Sequence, residues 1–181
     1  MVQIIRDRQI VEDEWIRLDD AAPVPAEGKI IVGHARWQAE KAALRSRGDV
    51  GVAIPSRLDV SELRADLPCL SLIAVAFTFI QPRPKGGRSF DGRGYSQARL
   101  LRERYGYRGE IRATGEVFRD AMYYMHRCGI DAFEVKPGQD LADALNAFND
   151  LTVAYQGAAD GQPPIFRRRG LQPIPGVKAG R

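Results

Sequence analysis

From residue 29 onward the apolar positions alternate between short runs with strand character and longer stretches spaced as helix faces. Lys29–Gly33 reads as a strand, and a helix is predicted from about Trp37 to Ser46, ending at Gly48 because glycine breaks a helical run. Gly51–Ile54 is a second strand, and Val60–Leu67 a short helix stopped by Pro68. Ser71–Phe79 is the most apolar segment; a run without alternation implies burial on both faces, so this strand belongs at the centre of a sheet. Helices are predicted at Ser96–Tyr105, Glu116–Cys128 and Asp140–Asp150, with strands at Glu110–Ala113 and Ala132–Val135 between them. In Glu116–Cys128 the residues Val117, Phe118, Ala121, Met122, Met125 and Cys128 share one face, and Gly129 supplies the left-handed position that ends it.

Five strands separated by helices imply parallel pairing through right-handed crossovers. At 181 residues the chain is short for an eight-stranded barrel of about 250 residues. The expectation is a single α/β domain with a mostly parallel five-stranded sheet flanked by helices. An open sheet is favoured, with a half-barrel-like curve as the alternative. Ahead of it, Val2–Leu18 reads as an N-terminal β-hairpin, followed by a Pro-rich link at Ala22–Gly28. The domain is expected to span 1–156, and the Gly- and Pro-rich stretch 157–181 to form a poorly ordered basic tail.

Composition adds limits. Apolar residues make up 44% and charged residues 28%, the balance of an ordinary globular protein. Cys69 and Cys128 have no metal-ligand or CxxC spacing, which fits a reducing compartment. The first residues lack the apolar core of a signal peptide, and the longest apolar run, Leu72–Phe77, is far below the ~20 residues a membrane span needs. The reading is a cytoplasmic protein with no membrane partner, no metal and no evident cofactor. The net charge of +4 and pI of 9.3 invite a nucleic-acid reading. However, five basic residues and no acid lie beyond residue 162, so residues 1–162 hold 22 basic and 23 acidic side chains. The excess belongs to the tail, and nucleic-acid binding is not expected.

In parallel sheets, ligands bind beyond the carboxyl ends of the strands. Here those ends lead to His34 and Arg36, to Ser56 and Arg57, to the loop before Ser96, to Thr114-Gly115-Glu116, and to Lys136. The richest segment is Asp91-Gly92-Arg93-Gly94-Tyr95-Ser96. Its glycines allow close backbone approach, Ser96 is placed to cap the next helix, and Arg93 offers a bidentate contact to an oxyanion. A plain turn with Asp91 and Arg93 paired in solvent is the competing reading. The ligand-binding candidates are Arg36, Arg57, Asp91, Arg93, Tyr95, Ser96, Gly115 and Lys136. Catalytic candidates are Asp91 and Glu116, as a carboxylate pair, and His34 as a base. Cys128 is read as a small core residue, and its spacing from His126 rules out a Cys–His pair on one helix face.

The run Asp91–Glu110, the segment Arg112–Val117 and the segment His126–Glu134 resemble the bacterial family called domain of unknown function 934. The resemblance covers roughly residues 2–155. Matching motif positions are Asp91, Gly92, Arg93, Tyr95, Ser96, Arg99, Arg102, Arg112, Gly115, Arg119, Arg127, Cys128 and Asp131. Phe79–Ser89 is longer and more basic than the family's usual link. Members are often labelled probable oxidoreductases of sulfite reduction, a label that rests on association with assimilatory sulfite reductase. The resemblance therefore implies an accessory role in sulfur assimilation, binding a small anion or docking on sulfite reductase or another enzyme of that metabolism. The alternative is an enzyme acting on a small sulfur-containing or phosphorylated substrate.

Overall fold

The structure, a computed structural model, describes residues 2–80, 89–151 and 153–168. Its strands are β1 (Gln3–Arg6), β2 (Gln9–Glu12), β3 (Trp15–Arg17), β4 (Lys29–Gly33), β5 (Val50–Ile54), β6 (Leu72–Phe77), β7 (Phe79–Ile80), β8 (Ser89–Phe90), β9 (Glu110–Gly115) and β10 (Ala132–Phe133). Its helices are α1 (His34–Leu44), α2 (Arg93–Arg99), α3 (Arg119–Arg127), α4 (Leu141–Asn146) and α5 (Ile165–Arg168). α2 continues as a wider π turn through Leu100–Arg104.

Eight strands form the main sheet in the order β2-β1-β10-β9-β6-β5-β4-β3. The five expected strands all lie in it as a parallel set, and β6 sits inside it between β9 and β5. The expectation of a five-stranded sheet with a separate hairpin ahead of it is corrected: β1, β2 and β3 belong to the same sheet and make it eight-stranded. β1 and β2 form an antiparallel hairpin whose turn puts Asp7 and Arg8 at positive φ (51° and 60°), the backbone of a tight two-residue connection. The hairpin joins the sheet through β10, antiparallel. Trp15–Arg17 is not part of the hairpin: β3 pairs parallel with β4 at the opposite edge.

That crossing of the chain decides the shape. β2 and β3 are the two edges of the sheet, yet only Asp13 and Glu14 separate them. Eight flat strands about 4.8 Å apart would hold their edges about 34 Å apart, whereas the three Cα steps from Glu12 to Trp15 reach about 11 Å at most. The sheet must curl, so the open sheet gives way to the half-barrel alternative.

The helices cover its convex face. Ile5, Ile30, Val32, Val52, Ile73, Val75, Phe77, Ile111, Ala113 and Phe133 point to that side and join Trp37, Ala98, Leu101, Met122 and Met125 in one core. The concave face holds a smaller apolar cluster, Ile31, Leu72 and Ala74, with Trp15 and Ala53 against it. The wide side of the molecule is therefore apolar, and the curl encloses something else. No helix among the described residues is long and apolar enough to cross a membrane. Of the expected tail, residues 169–181 lie outside the described residues, as do 81–88 of the long link. Within 157–168, the Ala159 amide donates to the Arg127 carbonyl (3.0 Å) and Asp160 pairs with Arg127 (3.1 Å), tying that stretch to α3.

Candidate functional site

Arg112 lies at the middle of β9 with its side chain on the concave face, fully buried. Its row across the sheet reads Gly33, Ala53, Ala74, Arg112, Ala132 and Arg6. Glycine and alanine occupy the flanking positions, and their small volume leaves the space a guanidinium fills. A buried charge needs acidic partners, and three converge here. Arg112 Nε donates to Glu110 (2.7 Å), and Nη1 donates to Asp13 (2.8 Å) and Glu134 (3.4 Å). Burial works against the charge, but the hydrogen bonds and fields of Asp13 and Glu110 outweigh it and raise its pKa. Nη2 is buried with no hydrogen-bond partner among the described residues.

Glu134 also accepts from Arg17 of β3 (3.2 Å), so an ion pair bridges the curl from one limb to the other. Above these groups opens a cavity of about 510 Å³ at the carboxyl ends of β3, β9 and β10. Asp13, Trp15, Arg17, Ile31, Gly115, Glu134 and Lys136 line it. Gly115 is required there: its φ is +89°, and a Cβ would stand 2.5 Å from the Phe77 carbonyl oxygen. Lys136 pairs with Glu116 and lies 5.0 Å over the Phe118 ring. Among the described residues, no group of three or more His, Cys, Asp or Glu side chains is placed to hold a metal ion.

The residues singled out from sequence are divided by the fold. Gly115 and Lys136 reach this cavity, with Glu116 behind Lys136. The Asp91 loop forms a separate structure. Asp91 is buried and accepts from Arg93 Nε (2.9 Å), Arg93 Nη2 (2.7 Å) and the Arg93 amide (3.1 Å). The Arg93 guanidinium, with a further hydrogen bond from Ser56, holds this carboxyl well below the usual range against the opposing effect of burial. Such a group stays ionised and donates no proton near neutral pH. The pairing reading of Asp91 and Arg93 holds, although the carboxylate is buried and only Arg93 is half exposed. Asp91 and Glu116 are each bonded to a cation of their own, Arg93 and Lys136.

Ser96 does not cap its helix. α2 begins three residues earlier, at Arg93, and Ser96 is an exposed residue within it. The reason is the Asp91 side chain, which takes the Arg93 amide and starts the turn sooner. Tyr95 packs between Phe77 (5.2 Å) and Tyr124 (5.1 Å), and burial raises its phenol pKa to about 12. It lines a second cleft with Phe79, Phe90, Phe118, Asp120 and Ala121, which shares no residue with the first. Arg36 is buried, bonded to Glu40 (3.1 Å) and the Asp19 carbonyl (2.6 Å). His34 opens α1 and meets Gln38 (3.2 Å). Arg57 is exposed, away from both clefts' linings. Cys128 is buried, and burial pushes its thiol pKa up, as suits a core residue.

Asp13, Arg17, Arg112 and Glu134 were not among the sequence candidates for the site. A signal for them exists in β9: Glu110, Arg112 and Thr114 alternate with Ile111 and Ala113, which marks one polar face of a strand. Asp13 and Arg17 carry no such mark, because their place depends on the crossing of β3 to the far edge.

A model of the family described as bacterial protein of unknown function (DUF934) matches residues 51–166. No curated protein matches the chain. The matched span contains Arg112, Gly115, Glu134 and Lys136, and leaves out Asp13 and Arg17.

Proposed function

The chain belongs to this bacterial family of unknown function, and we propose that it is an accessory protein of assimilatory sulfur metabolism. In this reading its ligand carries an anionic group, held in the mouth of the curled sheet. The sulfur context comes from the family resemblance and its association with sulfite reductase. The observation that carries the binding role is Arg112. A fully buried guanidinium keeps one nitrogen without an acceptor, while two of its carboxylate partners, Asp13 and Glu134, line the adjoining cavity. An unspent buried donor costs about 1–3 kcal/mol; Arg112 itself lies behind the lining, and Arg17 and Lys136 are the cations an oxyanion in the cavity would meet. The Asp91 loop is not the anion clamp in this reading, because Arg93 is already occupied by Asp91.

The test is native mass spectrometry of the chain purified from sulfate-grown cells. A retained small molecule with an anionic group, lost in Arg17→Ala and in Lys136→Ala, supports the reading. A bare wild-type chain that co-purifies with sulfite reductase overturns the anionic ligand and leaves an accessory protein that docks. A second reading, an enzyme on a small sulfur-containing or phosphorylated substrate, is favoured by the cavity's place at the carboxyl ends of parallel strands, where active sites of such sheets lie. Its acid–base group is then Glu116 rather than Asp91, and Glu116→Gln abolishes turnover while leaving ligand retention intact.

A further inference from the structure

Building on the reading that the mouth of the curl holds an anionic group, we propose that its ligand is a small zwitterion, bearing an ammonium as well as a carboxylate or sulfonate. Charges of both signs line the cavity: Asp13 and Glu134 against Arg17 and Lys136. Behind this lining, Glu110 faces Arg112 and Arg6, and Glu116 faces Lys136, so four cations meet four carboxylates. The site is neutral as built. A simple inorganic anion entering it adds uncompensated negative charge beside two carboxylates, and partial burial makes that repulsion stronger than in water. A molecule charged at both ends and neutral as a whole keeps the balance.

The positions of the two acids favour an ammonium between them. Asp13 Oδ2 and Glu134 Oε1 both accept from the same Arg112 nitrogen, at 2.8 and 3.4 Å, which places these oxygens within about 6 Å of each other. A carboxylate has about four lone-pair sites, so the arginines leave acceptor capacity on both. Ile4, Ile31, Trp15 and Val135 add apolar wall to the same cavity, which suits the short carbon spacer of such a ligand. A volume of about 510 Å³ falls in the range of small-molecule sites.

Isothermal titration of the full chain compares pairs that differ at the ammonium. Taurine is measured against isethionate and β-alanine against propionate, with ethylamine as the compound lacking the anion. The expected result is at least about tenfold tighter binding of each zwitterion than of its partner. Glu134→Gln is expected to reduce that preference to about twofold or less, with taurine bound more weakly and isethionate no more weakly than by wild type. Asp13→Asn is the second variant should Glu134→Gln fail to fold. Equal affinity for taurine and isethionate overturns the zwitterion and leaves the anionic reading standing. Ethylamine binding as tightly as taurine overturns the anionic reading as well. No heat from any of the compounds overturns both.

Discussion

His126 sits on α3 with its ring edge-on to Phe148 at 5.5 Å. Its Nδ1 lies 3.3 Å from the Ile130 carbonyl and its Nε2 3.1 Å from Arg8. In the neutral ring, Nδ1–H donates to the carbonyl and Nε2 accepts from the guanidinium. Protonation would place a proton where Arg8 already points one. Burial, and then the charge of Arg8, lower the His126 pKa from its ordinary 6.5. The sign follows from linkage: below 6.5 the unfolded chain takes up a proton that the folded chain refuses, so stability falls as pH falls. Urea midpoints of wild type and His126→Gln, compared between pH 7 and pH 5, should show wild type losing more stability. Parallel pH curves for the two proteins would mean that His126 does not titrate differently on folding. Asp91 acts in the same direction but lower, below the ordinary carboxylate value of 3.8, and is separable by window. Asp131 opposes both: burial raises its pKa to about 6, so its contribution falls as pH rises through 4–6. The comparison with His126→Gln removes this shared background.

At the scale of elements, Gly115 ends β9 where a side chain is impossible without movement of β6. Its positive φ costs a non-glycine residue roughly 1–3 kcal/mol, and the clash with the Phe77 carbonyl comes on top. Gly115→Ala is expected to lower the urea midpoint by at least that backbone cost, and a midpoint equal to wild type would show that β6 and β9 can part freely. The parallel strands themselves were legible because each is a short apolar run between helical stretches, and β6 was legible as central because it lacks alternation. Element boundaries were less so. α1 starts at His34 rather than near Trp37, and α2 at Arg93 rather than Ser96, since the residues that begin them show no apolar periodicity. The Asp91 loop drew attention as a cluster of polar and glycine residues. Its close approach is real, but the approaching group is Phe77, whose ring lies 2.7 Å from where a Gly94 Cβ would stand. Local composition marks a tight turn without telling whether it accommodates a ligand or a neighbour's ring.

Over the whole molecule, the site exists because the chain carries Trp15–Arg17 across to the far edge of the sheet, and nothing in the local pattern of Val2–Leu18 announces that crossing. A three-residue strand has little pairing energy of its own, so its attachment draws on contacts across the curl. Two ion pairs make them: Arg17 with Glu134, both partly exposed, and Asp13 with Arg112, at 13% and 0% exposure. Their surroundings predict unequal strengths. An exposed pair is screened and contributes about 0–1 kcal/mol, while close partners within a buried network couple by up to about 3 kcal/mol. Double-mutant cycles on urea stability, with Arg17→Ala and Glu134→Ala in one and Asp13→Ala and Arg112→Ala in the other, separate them. The Asp13–Arg112 coupling is expected to exceed the Arg17–Glu134 coupling by at least about 1 kcal/mol. If so, Arg17 contributes little to closing the curl and is left free to meet a ligand at its rim. Equal couplings would make Arg17 a structural tie, and its loss of ligand on mutation would then report a slackened mouth rather than a missing contact.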